Sequence, residues 1–239
     1  MLSAARKKLL KELINKLELK SIDCNLLDEA LTHPSFNFEV NRENSPDYER
    51  LEFLGDSVLR LVISNYLYDK YEEYDEGKLT KIRSYLVSDN FISKMALTIE
   101  LNKYINIGEH EEKDGGRLKE SILACSIEAL FGSIYKSLGY NFAKDFIYKM
   151  YSSIDMNGEE ILFSYNSKEI LQQYTQGKNK DLPVYKLLDE KGLAHNKTYL
   201  VSVEYENKEL GRGEGKTKKE AEKIAAINAL RLLRENKEI

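Results

Sequence analysis

The stretch ERLEFLGDS at Glu49–Ser57 distributes three carboxylates among apolar side chains. Glu49, Glu52 and Asp56 stand at positions i, i+3 and i+7, which places all three on one face of a helix within two turns. A solvated acidic stripe is the usual interpretation of such a pattern, but the interleaved apolar residues favour a partly buried helix. Buried carboxylates need a partner, and Mg²⁺ prefers oxygen ligands. The stretch therefore predicts a helix that carries a site for a divalent cation.

Apolar residues continue at helical spacing on both sides of this stretch, from Lys7 to about Tyr151. Pro34 and Pro46 lie in LTHPSF and NRENSPDY, where each marks a boundary between helices. The segment over residues 153–165 has little periodicity and is typical of a linker. The first 152 residues are therefore predicted to form an all-α domain.

Beyond the linker, residues 166–236 change to a pattern of one helix, three strands and a second helix. The predicted helices are SKEILQQYTQ and KKEAEKIAAINALRLL, and the predicted strands are PVYKLLDEKG, KTYLVSVEYE and KELGRGEGK. The alanine-rich face of the last helix lets it pack close to the sheet, and the glycines of GRGEG fit a turn before it. The predicted fold class is α+β with two domains, an all-α domain followed by an α-β-β-β-α module.

Charge is divided unevenly between the two predicted domains. The chain of 239 residues has a net charge of −4, but residues 166–239 hold 15 Lys and Arg against 12 Asp and Glu, which leaves 21 against 28 for residues 1–165. The acidic part suits metal binding, and the mildly basic part suits a polyanion.

Cysteine, histidine and hydropathy patterns exclude several classes of protein. Two unpaired cysteines, Cys24 and Cys125, and three histidines argue against a disulfide framework and against a zinc site. The amphipathic start MLSAARKKLLKELINKL differs from a secretory signal, and we expect no membrane-spanning segment. These observations predict a cytoplasmic protein.

Basic and amide side chains of the C-terminal module could contact a nucleic acid. Several lysines surround the start of the last helix, whose free N–H groups already favour anions, although a solvated lysine-rich helix start is the alternative. Amides such as those of Gln172 and Gln176 on the first helix can reach hydroxyl groups and base edges, whereas a lone histidine such as His195 is more often structural. The candidate anion-binding residues are Lys216, Lys218, Lys219 and Lys223.

Several motifs in the same order resemble the bacterial ribonuclease III family. They are ALTHPSF, ERLEFLGDS, EGKLTKIRSYLVS, GEHEEKDGGR and SILACSIEALFGSIY, which cover most of residues 26–140, and KELGRGEGKTKKEAEKIAA, which resembles the double-stranded RNA-binding domain. The resemblance implies that Glu52, Asp56 and Glu128 bind catalytic metal. It also implies supporting catalytic roles for Glu49 and Glu76. In the C-terminal module it implies that the lysine cluster binds RNA phosphates and that Gln172, Gln176 and His195 reach the minor groove.

The resemblance carries further expectations about activity and partners. It implies a metal-dependent endoribonuclease that cuts double-stranded RNA to give 5′-phosphate and 3′-hydroxyl ends, in the processing of ribosomal and messenger precursors. The expected cofactor is Mg²⁺, with Mn²⁺ as a substitute, and no small-molecule cofactor is expected. It implies a homodimer through the nuclease domain. The dimer would bury Phe53 and its neighbours on the helix predicted over ERLEFLGDS.

One residue departs from the family pattern at a metal-ligand position. The family pattern has aspartate where ILACSIEAL has Cys125, three residues before Glu128 on the same predicted helix face. Thiol sulfur is a poor ligand for Mg²⁺ and an acceptable one for softer ions. Three interpretations stay open: a working nuclease with weakened metal affinity, an inactive double-stranded RNA-binding homodimer, and a site retuned to Mn²⁺ or another ion. A small core residue at Cys125 is compatible with the first two.

Overall fold

The chain divides into two compact units, residues 1–156 and 157–239. The computed structural model describes residues 2–40, 45–152, 157–179, 181–192 and 197–236.

The first unit is helical, as its apolar spacing predicts. Its described residues form the α-helices α1 (Ala4–Lys16), α2 (Cys24–Ala30), α3 (Pro34–Glu39), α4 (Glu49–Lys70), α5 (Glu76–Leu86), α6 (Asp89–Thr98), α7 (Glu109–Lys113) and α8 (Glu120–Ser152), with short 3₁₀ helices at Leu101–Tyr104 and Gly116–Leu118. Pro34 is the first residue of α3, where its missing N–H costs no helical hydrogen bond. Pro46 lies between α3 and α4, so both prolines mark helix boundaries as predicted.

Helices α4 and α8 form the centre of this unit, and two glycines allow their backbones to touch. A Cβ added at Gly55 would lie 1.7 Å from the carbonyl oxygen of Glu128, and one added at Gly132 would lie 2.2 Å from that of Leu51. Only glycine fits such a crossing. Helix α4 is therefore held against the start of α8 at the level of Glu52, Asp56 and Glu128.

Helix α8 is apolar along most of its length and is interrupted once. Gly139 adopts φ 82° and ψ 173°, which turns the chain within the helix. In the part of the chain that the structure describes, α8 is the one helix that is long and apolar enough to suit a membrane span. Its most apolar stretch of 18 residues has a mean hydropathy of 1.2, but 67% of that stretch is buried inside the protein. It packs against α4 and α6, which is the environment of a core helix.

The second unit contains the α-β-β-β-α module, so the predicted α+β fold class is confirmed. Its elements are α9 (Gly158–Tyr165), α10 (Ser167–Asn179), β1 (Val184–Lys191), β2 (Thr198–Tyr205), β3 (Lys208–Gly215) and α11 (Lys218–Glu235). The strands form an antiparallel sheet in the order β1-β2-β3. Val201, Val203 and Tyr205 are buried, and so is the alanine-rich face of α11.

Two predictions about this unit were wrong. Residues 158–165 form α9 and not a linker, because Asn157 caps the helix and Ile161 is buried at 7% exposure; residues 153–156 lie outside the described part of the chain. The glycines of GRGEG lie in β3 and not in a turn. A Cβ added at Gly213 would lie 2.2 Å from the carbonyl oxygen of Ala221, so these glycines allow close contact between β3 and α11.

Candidate metal and RNA-binding sites

The first turns of α4 present the predicted carboxylates at different depths. Glu49 is exposed, whereas Glu52 and Asp56 are half-buried. Burial is the main cause that raises the pKa of Glu52, and the negative charges of Glu49 and Asp56 add to it. The helix therefore brings two of its three acids to the crossing with α8 and leaves Glu49 at the margin.

Cys125 on α8 faces Glu52 of α4 and Tyr48, the residue before α4. The carboxylate of Glu52 and the hydroxyl group of Tyr48 are both close enough to the thiol to interact with it. Burial, followed by the interaction with the carboxylate of Glu52, raises the pKa of Cys125 to about 12. The thiol is therefore protonated and neutral at pH 7, so position 125 contributes no negative charge to the cluster.

Glu128 is the most buried acid of the cluster, with 9% of its surface exposed. Burial, followed by the nearby negative charges of Asp56 and Glu52, raises its pKa to about 8. A carboxylate in such a place is stabilised by a cation and destabilised without one. A bound metal ion would therefore stabilise the charged form of Glu128 more than that of the other acids in the cluster.

Asp56 is already paired with a cation of the protein. The Nε atom of Arg60, one turn further along α4, lies 2.7 Å and 2.8 Å from the two carboxylate oxygens of Asp56. The sequence patterns gave no role to Arg60, because a basic residue four positions after an acid commonly stabilises an exposed helix.

Asp89 is an acid of this site that the sequence did not reveal. It begins α6, and α6 packs against α8. After burial and closer groups, its negative charge also raises the pKa of Glu52, Cys125 and Glu128. No spacing in the sequence links Asp89 to the other acids, because only the packing of α6 brings it there.

The donor chemistry of the cluster fits a hard divalent cation, but the side chains are not gathered around one point. Within the described residues, no group of three or more His, Cys, Asp or Glu side chains is close enough to hold a metal ion. Asp56 is turned towards Arg60, and Glu52 interacts with Cys125. Binding of an ion by Glu52, Asp56 and Glu128 thus requires rotation of the first two side chains.

Glu76 lies apart from this cluster. It is the first residue of α5, is exposed, and accepts a hydrogen bond of 2.9 Å from Thr80 Oγ1. It borders a groove of about 450 Å³ between α4 and α5, which is also lined by Ser64, Tyr68 and Arg83. One copy of the chain therefore does not bring Glu76 together with Glu128.

The second unit displays most of the predicted RNA-binding residues on its surface. Gln172 and Gln176 are exposed on α10, and Lys218 and Lys219 are exposed in the first turn of α11, which Thr217 caps. His195 lies outside the described residues, so its predicted role is neither supported nor opposed.

Three of the predicted lysines also make contacts within the unit, and one of them is Lys218, whose ammonium group lies 5.8 Å from the ring centre of Tyr199. The backbone N–H of Lys216 donates to Glu220 Oε2 at 2.8 Å, which closes the loop before α11. Lys223 is half-buried, with its ammonium group 5.8 Å from the ring centre of Tyr165 on α9. Lys216, Lys218 and Lys219 are exposed, so Lys223 is the least accessible member of the cluster.

Comparison with known proteins agrees with both units. The family model described as Ribonuclease-III-like matches residues 23–154, and the one described as Double-stranded RNA binding motif matches residues 167–233. Ribonuclease 3 of Borreliella afzelii (strain PKo) is 41% identical over 97% of this chain and 94% of its own length. Ribonuclease 3 of Moorella thermoacetica is 38% identical over 96% of this chain and 97% of its own.

Solved structures show the same relationship for the first unit. A structure of the nuclease domain of ribonuclease III from Campylobacter jejuni, described as flexible in a region involved in dimer formation, is 40% identical, with a TM-score of 0.53 over 59% of this chain and 96% of that chain. A helical nuclease unit followed by a double-stranded RNA-binding module defines an endoribonuclease of double-stranded RNA. The chain belongs to the bacterial ribonuclease III family, whose members generally depend on a divalent metal.

Proposed function

We propose that this chain hydrolyses the phosphodiester bonds of double-stranded RNA at the cluster formed by Glu52, Asp56 and Glu128. The observation that carries the proposal is the buried carboxyl group of Glu128, which lies within electrostatic reach of Glu52 and Asp56 at the crossing of α4 and α8. Burial of several acids together destabilises a protein unless a cation compensates them. The cluster is therefore built for a divalent cation and its substrate.

Each acid has a distinct part in the proposed site. Glu52, Asp56 and Glu128 would hold the ion, with Glu49 and Glu76 in supporting roles. Bound Mg²⁺, or Mn²⁺ as a substitute, supplies a water of lowered pKa and positive charge for the leaving oxygen. The products are 5′-phosphate and 3′-hydroxyl ends.

A thiol at position 125 favours a working nuclease with weakened metal affinity. Three carboxylates remain at the crossing, and the neutral thiol interacts with Glu52 instead of adding a ligand for Mg²⁺. The same thiol supports a second candidate, an inactive double-stranded RNA-binding homodimer, because it takes the place of a ligand that the ion would need. A site retuned to Mn²⁺ is the third.

The outer face of α4 supports a homodimer through the nuclease unit. Phe53, Leu61 and Tyr68 are exposed by 78%, 57% and 74%, and they recur at helical spacing along one side of α4. A stripe of large apolar side chains in solvent is unfavourable unless a partner covers it. The twofold arrangement would bring two sites to the two strands of one duplex.

The second unit is proposed to hold the duplex by its shape. The lysines at positions 216, 218, 219 and 223 would contact phosphates, and Gln172, Gln176 and His195 would reach the minor groove. The cellular substrates proposed are precursors of ribosomal and messenger RNA, in the cytoplasm.

Cleavage of a long RNA duplex by the wild type and by Cys125→Asp, each titrated with Mg²⁺ and with Mn²⁺, tests the proposal. We expect the wild type to cut, with activation at higher Mg²⁺ concentration than the variant needs. Asp56→Asn should abolish cleavage and retain duplex binding, and a single strand of the same sequence should not be cut. Cleavage only by Cys125→Asp, with equal duplex binding, would establish the inactive homodimer instead. Activation of the wild type by Mn²⁺ alone would establish a retuned site.

A further inference from the structure

Arg60 is a cation at the edge of the acidic cluster. It stands one helical turn after Asp56, with its Nε atom 2.7 Å and 2.8 Å from the two oxygens of that carboxylate. Its side chain is 52% exposed, compared with 33% for Asp56. The guanidinium group therefore lies between the metal-binding carboxylates and solvent, where a substrate would arrive.

The hydrogen bonds of Arg60 use only part of its donor capacity. A guanidinium group carries five N–H donors, of which Nε supplies one. In the described part of the chain, both side-chain hydrogen bonds of Arg60 start from Nε, and the Nη atoms donate to no protein acceptor. The two Nη groups thus present a planar set of donors to solvent, close to the carboxylate of Asp56.

The acids of the site outnumber Arg60, and a bound divalent cation would offset them. Glu52, Asp56, Glu128 and Asp89 surround the crossing, while the neutral thiol of Cys125 stands where the family has a carboxylate. One negative charge fewer lowers the repulsion that an anion meets at these donors. A phosphodiester is an anion with two non-bridging oxygens, which arginine can bind with paired N–H donors.

We propose that Arg60 is a further catalytic residue, whose Nη groups bind a non-bridging oxygen of the phosphodiester that is cut at this site. The inference rests on the proposed function, because it needs RNA at the crossing of α4 and α8. The Nε contact with Asp56 keeps the guanidinium group beside the cluster before the metal ion and the substrate arrive. Arg60 would orient the phosphate and compensate the charge that develops on it during cleavage.

The test compares three full-length variants in duplex cleavage and duplex binding. Arg60→Gln removes the charge, Arg60→Lys keeps the charge without the paired donors, and Arg50→Gln removes the same charge elsewhere on α4. Arg50 is a matched control because it is exposed and its charge acts on Glu29 of α2.

Two measurements separate a phosphate contact from a structural role. We expect Arg60→Gln to lower kcat/KM roughly 10- to 100-fold at saturating metal, the range for a charge-assisted hydrogen bond, with Arg60→Lys in between and Arg50→Gln unchanged. In EDTA, we expect the slope of log K for duplex binding against log salt concentration to be less steep by about 0.9 for Arg60→Gln than for the wild type. This is the value for one lost phosphate contact on duplex DNA, about 0.9 per contact. Arg60→Lys should keep the steeper dependence.

Other results would overturn the inference. Unchanged cleavage and salt dependence in Arg60→Gln would leave Arg60 as a surface ion pair. If Arg60→Gln were activated at a lower Mg²⁺ concentration than the wild type, with unchanged kcat, Arg60 would only compete with the ion for Asp56. Failure of the wild type to cut with any metal would refute the proposed function, whereas a cutting wild type with an equally active Arg60→Gln refutes this inference alone.

Discussion

Replacement of the buried acid Glu128 by Gln tests the electrostatics of the site without reference to catalysis. Burial, followed by the charges of Asp56 and Glu52, raises the pKa of Glu128 to about 8 from an ordinary value of 4.5. The folded chain therefore keeps a proton that the unfolded chain releases. The contribution of this group to the free energy of unfolding is fully present below pH 4.5 and is lost as the pH rises through about 8. Without metal, the wild type should thus become less stable as the pH rises from about 5 to 8.

The size of this effect follows from the pKa difference. At about 1.4 kcal/mol per pKa unit, the shift corresponds to roughly 3 to 5 kcal/mol of unfolding free energy between acidic and mildly alkaline pH. The amide of Glu128→Gln has no proton to lose. The variant should therefore exceed the wild type in stability at pH 8 by this amount and approach it near pH 5.

Urea unfolding in EDTA, followed by circular dichroism between pH 5 and pH 8.5, measures the difference. Glu109→Gln is a suitable control, because the side chain of Glu109 is 89% exposed and the change should leave the pH dependence as in the wild type. Addition of Mg²⁺ at pH 8 should stabilise the wild type by about 2.7 kcal/mol at 100 times the dissociation constant, and Glu128→Gln by less. Parallel pH curves for the wild type and Glu128→Gln would refute the reasoning.

Three further changes probe the core, the dimer and the RNA-binding module. Gly55→Ala should lower the unfolding free energy by more than about 3 kcal/mol in urea, because its Cβ would overlap a backbone oxygen, whereas exposed Gly77→Ala should change it by no more than about 1 kcal/mol. Phe53→Ser should weaken self-association roughly 30-fold or more in sedimentation equilibrium, since a buried aromatic anchor is lost; an unchanged dissociation constant would place the interface elsewhere. Lys218→Gln combined with Lys219→Gln should make the salt dependence of duplex binding less steep by about 1 to 2 in anisotropy measurements between roughly 50 and 200 mM salt; an unchanged slope would remove both lysines from the phosphate contacts.

The parts of the site that share one helix could be predicted from the sequence. Glu52 and Asp56 are four residues apart on α4, and Cys125 and Glu128 are three apart on α8, so each pair shares a face by helical geometry alone. The meeting of the two pairs at one crossing came from family resemblance, because spacing within a helix carries no information about a distant helix.

The residues that the sequence did not reveal reach the site through packing. Asp89 arrives on α6, and no periodicity relates it to α4. The GRGEG glycines and α9 were misassigned for a related reason. Glycine occurs both in turns and where a helix approaches a strand, and a helix of eight residues has too few turns for its periodicity to be distinct.

The contact that stabilises the first unit is also the contact that forms its acidic cluster. At Gly55 the backbone of α4 meets the carbonyl oxygen of Glu128, so the spacing of the two helices is set within one turn of Glu52 and Asp56. A larger residue there would separate the helices and move Glu128 away from the other acids. Because the backbone crossing and not the side chain of residue 125 sets this spacing, loss of the family aspartate removes a ligand and a charge while the remaining carboxylates stay in place. The effect of Cys125 should therefore be found in metal affinity before it is found in fold stability.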